Sequence, residues 1–573
     1  MPTYTRNAHA DFLEAELEAQ IAAFQRQLET SAVSLLEQGD LFIAQFIKLR
    51  GAEMLVKMNT ERRGVPRRMD TLRAMLVKNS HQTWREWGAM RYGEMIKTGQ
   101  VNYSDATCIW HHQTEDPKYT LIGFRGISVE FAKALVEGCF VVLGPAAPPF
   151  EYLGNLKRIV QTVPATSLAA RLLDFDATSN GWLPIPFPGN VDLLRNQLLI
   201  ADVVVTQGPP GTGKTNLLAQ LAARLLAEGK RVLATALTHQ ALFELASKEA
   251  LKPALAQKKL YKRRLTLDDK ARLPDLQEAD DLFSAPGCLT LATFYASSGW
   301  AAKTLQAPFD IVLVDEASQA FLAMLAASTI LAPKVFWIGD PAQLPPVVVM
   351  STDAVIKLRA EALINGMQTV LENLSFPTFR LIETYRLPAR AAFFTGFFYQ
   401  HTLVAADFSN RTSLIFKDLP EGTQQLLHEG GGPTLLPLPL PPGDAAPALL
   451  LKMIVQIVSD LMLIKEKNFS IAILAKQRKT VRTIQWSLTQ IFGYQEHIIV
   501  ETVERVQGLT CDVCIFAIPD ANMGLSLNPN FFNVATSRAR RHTIIIAPER
   551  LLKTITADRR VVDFLEALQA TKL

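Results

Sequence analysis

The chain has 573 residues, of which 49% are hydrophobic and 20% are charged. This composition is typical of a globular protein and excludes a chain that is mainly disordered. Five cysteines are too few for a disulfide-stabilised scaffold, so we expect a reducing compartment, cytoplasmic or associated with the nucleoid or nucleus. The net charge of +4 suits a polyanionic partner but does not by itself indicate one.

The first 117 residues (1–117) are predicted to form a helical stalk. Between Asp11 and Gly39, apolar residues recur at spacings of three and four, which predicts a long amphipathic helix, and residues 41–49 predict a second one. The segment 61–97 is also helical in pattern, and it combines an excess of basic residues with tryptophan and tyrosine. Such a segment can bind phosphates and stack bases, although a solvated helix face would carry the same residues. The helical region is also our candidate for contacts with protein partners.

A change of pattern predicts a small β-barrel over residues 118–175. The sequence there contains the short β-like runs YTLIGF, CFVVLG, EYLG and RIVQTV, which are separated by glycine and proline. Glycine and proline interrupt helices and mark the turns between antiparallel strands. We therefore expect strands throughout this segment.

After the barrel segment, predicted strands alternate with predicted helices, which is the pattern of an α/β protein with parallel sheets. The alternation restarts in the middle of the chain, so we expect two α/β domains, over residues 176–350 and 351–573. A basic segment at about 251–285 is expected to be an insertion in the first domain. The segment 431–447 is rich in proline and glycine, and we expect it to be a loop in the second domain.

The most apolar stretch, residues 448–464, does not have the pattern of a membrane span. Lys452, Gln456 and Asp460 interrupt it at a spacing of four, which places a polar stripe along one face of a helix. The N-terminus also lacks the basic and apolar regions of a secretory signal. We therefore expect no membrane partner.

The clearest motif is a phosphate-binding loop between a predicted strand and a predicted helix. The sequence GPPGTGKT matches the pattern G-x-x-x-x-G-K-[ST]. Backbone N–H groups and the helix N-terminus of such a loop bind the β-phosphate, Lys214 would reach the β- and γ-phosphates, and Thr215 would ligate Mg²⁺. The residues expected to contact the nucleotide are Gly208, Pro209, Pro210, Gly211, Thr212, Gly213, Lys214 and Thr215.

Two further motifs predict hydrolysis of the bound nucleotide. Asp315 and Glu316 follow the apolar run IVLV, and Gln343 lies in the later motif GDPAQLPP. One carboxylate after a buried strand can ligate Mg²⁺ and the next can accept a proton from an attacking water, so we expect Asp315 to be the metal ligand and Glu316 the general base. Gln343 is expected to sense the γ-phosphate and to communicate its presence to the neighbouring domain.

Six motifs together occur in the order and spacing of the superfamily 1 helicases. They are GPPGTGKT (208–215), DEASQ (315–319), GDPAQLPP (339–346), ETYR (383–386), ETVERVQG (501–508) and NVATSRARRH (533–542). Over about residues 185–550 the sequence resembles this family, and most of all the branch that includes the nonsense-mediated-decay helicase and its DNA-processing relatives. The resemblance implies an α/β fold with two RecA-like domains that enclose ATP, preceded by a small barrel on a helical stalk. It also implies that the basic residues 252–272 belong to an inserted subdomain that touches nucleic acid.

The resemblance assigns roles to further residues. Tyr385 resembles the aromatic residue that stacks on adenine, Arg386 and Arg538 resemble the two arginine fingers, and Gly508 resembles the motif glycine beside the nucleotide. Four residues lie where members of the family contact the nucleic-acid backbone, although each is also typical of a cap at a strand end. These are Thr238, His239, Thr293 and Thr502.

Three departures from the family pattern concern nucleotide and nucleic-acid contacts. His239 stands where the family often has asparagine, and Thr510 stands where it usually has a glutamate that contacts ribose. The family's adenine-reading glutamine has no clear counterpart, because Gln197 lies too close to the phosphate-binding loop. The resemblance therefore predicts hydrolysis more firmly than it predicts selectivity for ATP.

The sequence leads to a motor driven by ATP and Mg²⁺ on single-stranded nucleic acid. Movement in the 5′→3′ direction is implied by the resemblance alone. DNA is slightly favoured over RNA, partly because the five scattered cysteines do not form the zinc module of the RNA-decay relative. The alternative is an ATP-gated clamp, or a regulatory subunit of a larger complex, that binds nucleic acid without unwinding it.

Overall fold

The structure is a computed structural model. It describes residues 3–60, 64–76, 88–98, 103–116, 118–176, 183–279, 281–406, 419–493, 495–506, 508–552 and 558–570. The two tryptophans of the predicted basic helix, Trp84 and Trp87, lie outside the described residues. No helix in the described part of the chain combines the length and the apolar composition that a membrane crossing requires.

Strands and helices alternate along most of the described chain. The strands are β1 (Thr3–Tyr4), β2 (Phe42–Arg50), β3 (Glu53–Asn59), β4 (Thr71–Leu76), β5 (Tyr103–Gln113), β6 (Tyr119–Arg125), β7 (Phe140–Gly144), β8 (Phe175–Asp176), β9 (Ile185–Phe187), β10 (Val203–Gln207), β11 (Val232–Ala236), β12 (Leu260–Arg263), β13 (Gln277–Ala279), β14 (Leu289–Thr293), β15 (Ile311–Val314), β16 (Lys334–Gly339), β17 (Thr378–Leu381), β18 (Glu383–Thr384), β19 (Val404–Ala405), β20 (Gly432–Leu438), β21 (Ile471–Ala475), β22 (Ile498–Thr502), β23 (Cys511–Ala517) and β24 (Ala539–Pro548). The α-helices are Arg6–Glu29, Ala32–Gln38, Tyr92–Thr98, Val129–Ala134, Glu151–Thr162, Leu168–Leu173, Val191–Ile200, Lys214–Ala227, His239–Ala246, Lys252–Ala256, Leu267–Arg272, Phe294–Ala301, Leu322–Leu331, Thr352–Leu358, Glu361–Ile364, Gly366–Asn373, Ala389–Gly396, Glu421–Gln424, Ala448–Leu461, Arg478–Phe492, Met523–Ser526, Pro529–Thr536 and Arg559–Ala570.

Strands β2 to β7 form a closed antiparallel barrel in the order β2-β3-β6-β5-β4-β7. The apolar side chains of alternate strand positions fill its interior, among them Phe46, Val56 and Phe124. Gly123 lies opposite Trp110 in the register of β5 and β6, and a Cβ at Gly123 would stand 2.3 Å from the indole nitrogen. The glycine is therefore required for the indole to cross the neighbouring strand.

Four predictions for this region were wrong. Residues 41–49, predicted as a helix, form strand β2, where buried and less buried residues alternate with a period of two. The barrel therefore begins at Phe42 and is not confined to residues 118–175; strand β4 lies inside the predicted basic helix 61–97. The runs EYLG and RIVQTV, predicted as strands, belong to one helix, Glu151–Thr162, whose buried residues follow helical spacing.

The long amphipathic helix predicted near the N-terminus is confirmed as Arg6–Glu29. It packs against helix Glu151–Thr162 and against the first α/β domain, where the Phe12 ring meets Phe321 at 5.2 Å. The buried carboxylate of Glu16 accepts hydrogen bonds from the backbone N–H groups of Val349 and Met350, each at 3.0 Å. The N-terminal helix is thereby fixed to the segment that follows the GDPAQLPP motif.

The first α/β domain contains a nine-stranded parallel sheet in the order β13-β12-β14-β11-β15-β16-β10-β17-β9. Strand β17 lies beyond residue 350, so the sheet does not end where we predicted the domain boundary. Strand β12 pairs with both β13 and β14, so the basic segment, which we expected to be an insertion in this domain, extends the sheet. The carboxyl ends of parallel strands meet at one edge, which gathers the motifs after β10, β15 and β16.

The second α/β domain contains a five-stranded parallel sheet in the order β20-β24-β23-β21-β22. Its first strand, β20, lies in the Pro/Gly-rich segment that we predicted to be only a loop. Strand β20 is an edge strand that pairs only with β24 among the described strands. An edge strand tolerates Pro433 and Pro437, because a proline on its unpaired side does not remove a hydrogen bond of the sheet. The predicted α/β fold with two parallel-sheet domains and a barrel is confirmed.

The barrel contacts both α/β domains. Toward the first domain, Ser128 forms a β-bridge with Thr266, and the Leu267 N–H donates to the Ile127 carbonyl at 3.2 Å. Toward the second domain, two ion pairs link the barrel to the ETVERVQG segment. They join Arg67 to Glu501, at 3.6 Å, and Asp70 to Arg505.

Candidate active site

The phosphate-binding loop leaves strand β10 and enters helix Lys214–Ala227, as its motif predicts. Gly211 and Gly213 have φ angles of +76° and +77°, in the left-handed region that favours glycine. A Cβ at Gly211 would lie 2.4 Å from the Cβ of Arg386, so the glycine also allows the second domain to approach the loop. The Lys214 ammonium donates to the Gly208 carbonyl at 3.1 Å, across the space where phosphates would bind.

Thr215 and Asp315 form a site that suits a divalent cation. The Thr215 hydroxyl donates to an Asp315 carboxylate oxygen at 3.2 Å. Asp315 is buried, and burial together with the neighbouring Glu316 raises the pKa of its carboxyl to about 7. A cation beside these oxygens would favour the charged form again, and hydroxyl and carboxylate oxygens are ligands that Mg²⁺ prefers.

The backbone holds Glu316 in an unusual conformation. Its φ angle is +51°, in the left-handed region, and its N–H donates to the carboxylate of Asp315 at 2.9 Å. Such a conformation is costly for a residue with a Cβ and is found preferentially at functional sites. Among the described residues, no group donates to the buried Glu316 Oε2, which leaves that oxygen available to accept a proton from water.

Glu316→Gln is expected to retain nucleotide binding and to lower the hydrolysis rate at least ~10²-fold, because the amide keeps the shape of the side chain but cannot accept a proton. Binding of a fluorescent ATP analogue and steady-state ATPase measure the two effects separately. Glu361→Gln, at an exposed position of the same domain, is the matched control and should leave both unchanged. Loss of binding in the Glu316 variant would assign that residue a structural role.

Arg386 and Arg538 come from the second domain and meet the first domain near the loop. The Arg386 guanidinium donates to the Ser537 carbonyl at 3.4 Å, and Arg538 donates to the side-chain oxygen of Gln343 at 3.5 Å. Burial and the nearby Arg538 lower the pKa of Arg386 to about 9. Within the described chain, neither arginine has a carboxylate at ion-pair distance. The buried Arg538 and the half-buried Arg386, each without an acidic partner, are well placed for an anion such as a γ-phosphate.

The ETYR segment lies on the phosphate-binding loop. The Tyr385 N–H donates to the Gly211 carbonyl at 2.8 Å, and the Thr384 hydroxyl donates to the Pro210 carbonyl at 2.9 Å. Tyr385 is 49% exposed, and stacking of its ring on a base remains a prediction. We had not predicted the contact of Thr384, although its place within a recognised motif was a signal for it.

Comparisons with known proteins match the two α/β domains separately. Two family models, each described as an AAA domain, match residues 192–364 and 450–550. DNA-binding protein SMUBP-2 of Mesocricetus auratus is 23% identical over 500 residues, which cover 72% of this chain and 49% of that protein. The probable helicase MAGATAMA 3 of Arabidopsis thaliana is 27% identical over 308 residues, which cover 50% of this chain and 35% of that protein.

A third relative is the DNA replication ATP-dependent helicase/nuclease dna2 of Schizosaccharomyces pombe, which is 30% identical over 155 residues, 25% of this chain and 10% of that protein. The chain is therefore similar to AAA domains and to superfamily 1 helicases of the branch that includes SMUBP-2 and DNA2. The chain spans less than half the length of each of these three relatives.

The nucleic-acid contacts predicted from the sequence lie at the carboxyl ends of strands. Thr238 follows β11 and caps helix His239–Ala246, with its hydroxyl accepting from the Ala241 N–H at 3.1 Å. Thr293 ends β14, is buried and caps the next helix, so the cap accounts for its position without nucleic acid. His239 is exposed and Thr502 is buried at the end of β22. Their contacts with nucleic acid remain predictions.

Gly508 has a φ angle of +84° and is exposed. Apart from its chain neighbours, no described residue places a heavy atom within 4 Å of a Cβ built on it. The preceding Gln507 lies outside the described residues. The contact of Gly508 with nucleotide therefore also remains a prediction.

The basic segment 252–272 is only partly available for phosphates. Lys262 is buried in an ion pair with Asp269 at 2.5 Å, which removes it from the surface. Lys258, Arg263 and Arg264 are exposed, and Lys259 is half-buried. The exposed charge lies around strand β12, which is next to the edge strand β13, and the nearby Thr266 forms the β-bridge with Ser128 of the barrel.

Proposed function

We propose that this protein hydrolyses ATP with Mg²⁺ and couples the hydrolysis to movement along single-stranded nucleic acid in the 5′→3′ direction. The observation that carries the proposal is the meeting of both α/β domains at one phosphate-binding loop. Tyr385 bonds to Gly211, and Arg538 reaches Gln343 at 3.5 Å. Because the two arginines and the loop belong to different domains, the site is complete only when the domains are close together.

Each group at the site has a defined task in this reaction. Mg²⁺, when bound, would neutralise charge on the β- and γ-phosphates, and Thr215 and Asp315 would hold it. Lys214 stabilises the phosphates, and Glu316 accepts the proton of the attacking water. Arg386 and Arg538 stabilise the charge on the transferred γ-phosphoryl group, and opening of the cleft after hydrolysis then shifts the backbone contacts along the strand.

We favour single-stranded DNA as the substrate, because the names of two relatives refer to DNA binding and DNA replication. Steady-state ATPase with single-stranded DNA, and with RNA of the same length and sequence, tests this preference. Unwinding of duplexes with a 5′ or a 3′ tail then tests polarity. Stronger stimulation by DNA and unwinding of the 5′-tailed duplex are expected, whereas absence of stimulation by either polymer contradicts the proposal.

A second candidate function is an ATP-gated clamp that holds nucleic acid without separating strands. The ion pairs of Arg67 and Asp70 with the second domain favour it, because they link the barrel to the segment that contains Thr502. A clamp would show ATP-dependent binding and stimulated ATPase. It would not unwind a duplex with either tail, which distinguishes it from the motor.

Charge reversal in the basic segment is expected to weaken single-strand binding and to flatten its salt dependence. Each lost phosphate contact lowers the slope of log affinity against log salt by about 0.7. The variant combines four Lys/Arg→Glu substitutions, at Lys258, Lys259, Arg263 and Arg264. Fluorescence anisotropy with a labelled oligonucleotide over a salt series measures the slope.

The control for this variant reverses four exposed lysines outside the basic segment. They are Lys357, Lys452, Lys465 and Lys467. The control changes the net charge equally, so it should shift long-range attraction without removing contacts. Equal slopes in both variants would mean that the basic segment is only a solvated surface.

A further inference from the structure

A buried polar network surrounds Asp340, which follows strand β16. The Asp340 carboxylate is fully buried and accepts hydrogen bonds from Gln207 at 3.1 Å, Gln343 at 2.7 Å and the Tyr399 hydroxyl at 2.6 Å. Buried carboxylates are stable only when such donors replace water. The network therefore fixes the side chain of Gln343, the expected γ-phosphate sensor, through Asp340.

The Tyr399 hydroxyl connects this network to the second domain. Tyr399 is fully buried in the core of the second domain, and its hydroxyl also accepts from the Asn533 side chain at 2.8 Å. The same Asn533 amide donates to the Ala342 carbonyl at 2.8 Å. The Tyr399 hydroxyl thus connects Asn533, on helix Pro529–Thr536, to the Asp340 carboxylate, which binds Gln343.

A second asparagine of helix Pro529–Thr536 binds the loop 341–343. The Asn530 amide donates to the backbone carbonyls of Pro341 at 3.1 Å and Gln343 at 2.5 Å. Arg538 follows this helix directly along the chain. The expected arginine finger and the expected γ-phosphate sensor are therefore held in one hydrogen-bonded assembly that spans the two domains.

The backbone next to Tyr399 is strained. Gln400 and His401 are consecutive non-glycine residues with φ angles of +56° and +55°. Arg380 holds this turn by donating to the Tyr399 carbonyl at 3.1 Å and to the Gln400 side chain at 3.0 Å. Strain of this kind persists only where surrounding contacts over-determine the conformation, and it clusters at functional sites.

The other end of the assembly lies beside a predicted nucleic-acid contact. Helix Pro529–Thr536 packs on the turn Val503–Val506, and Phe532 shares a core cluster with Val503 and Val506. This turn directly follows Thr502. A shift of the turn on binding of nucleic acid would therefore press on the helix that carries Asn530 and Asn533.

We propose that Tyr399 is a positioning residue that transmits nucleic-acid binding in the second domain to Gln343 in the first. The inference rests on the proposed function, because it assumes a nucleotide hydrolysis that nucleic acid stimulates. Tyr399 acts through Asp340 and Asn533 and does not touch the nucleotide. Its hydroxyl forms hydrogen bonds with a residue of each domain.

Tyr399→Phe removes this hydroxyl and leaves the volume of the ring nearly unchanged. Small displacements of catalytic groups have large effects on rate, so we expect the kcat stimulated by single-stranded DNA to fall at least ~10-fold. The basal rate and the KM for ATP should stay within about twofold, because the loop and Lys214 are intact. Steady-state ATPase with and without DNA, over a series of ATP concentrations, measures all three quantities.

Tyr152→Phe is the matched control. Tyr152 is also a buried tyrosine, and its hydroxyl accepts a hydrogen bond from the Gln20 amide at 3.5 Å. It lies on helix Glu151–Thr162, which packs against the N-terminal helix Arg6–Glu29. This control should keep full stimulation, and an equal loss in both variants would overturn the proposal. If Tyr399→Phe does not fold, Asn530→Ala decides, since it removes bonds to the same loop without touching Asp340.

The outcomes separate this inference from the proposed function. If the wild type is stimulated by neither DNA nor RNA, the proposed function fails and the inference fails with it. If the wild type is stimulated and Tyr399→Phe is stimulated equally, only the role of Tyr399 is overturned. Loss of stimulation with an unchanged basal rate and KM supports it.

Discussion

Replacing either Arg386 or Arg538 with alanine is expected to reduce the ATPase stimulated by nucleic acid at least ~10³-fold, which is the usual contribution of an arginine finger. Where the two domains meet, Arg538 is buried and Arg386 is half-buried, and neither has a carboxylate partner among the described residues. Nucleotide affinity should fall much less than turnover, because Lys214 and the amides of the loop remain. Steady-state ATPase and equilibrium nucleotide binding measure the two effects.

Folding stability should change little in these variants. Burial lowers the pKa of both guanidinium groups, and each is near the other positive charge, so truncation of one relieves repulsion as well as removing contacts. Arg540→Ala is the matched control, because Arg540 follows in the same motif but pairs with Asp512 away from the loop. If the Arg538→Ala variant is already unfolded at the assay temperature, or if its turnover stays within about tenfold of wild type, Arg538 does not act as an arginine finger.

Lys214→Ala is expected to abolish turnover. Its ammonium lies 3.1 Å from the Gly208 carbonyl, and the reaction depends almost entirely on positioning and on charge stabilisation around the phosphates. A single-turnover assay with radiolabelled ATP detects residual hydrolysis that a coupled assay would miss. Lys303→Ala, at an exposed position of the same domain, should retain wild-type rates. Wild-type turnover in the Lys214 variant would show that the nucleotide does not bind at this loop.

The parts of the site that we predicted from sequence are those made by contiguous residues. The phosphate-binding loop needs glycine at two left-handed positions and a lysine at the start of a helix, and these requirements appear in eight consecutive residues. Asp315 and Glu316 also stand next to each other after a buried strand. Local backbone requirements of this kind leave a readable pattern in the sequence.

The parts that we missed depend on residues distant in the chain. Strand β2 was predicted as a helix because its apolar residues fit both periods, and only pairing with β3 and β7 decides between them. Tyr399 has no motif, since its role comes from Asp340, 59 residues earlier, and Asn533, 134 residues later. Prolines in β20 are compatible with a strand only because that strand is at the edge of its sheet.

The barrel completes a closed ring of three bodies, because it touches both α/β domains and these touch each other at the nucleotide loop. The two α/β domains cannot separate unless the barrel rotates at, or detaches from, its contact with one of them. The junction of Arg67 and Asp70 with the second domain depends on ion pairs, which salt weakens, whereas the junction with the first domain includes a main-chain bridge. Higher ionic strength is therefore expected to weaken the junction of the barrel with the second domain more than its junction with the first, even in the absence of nucleotide.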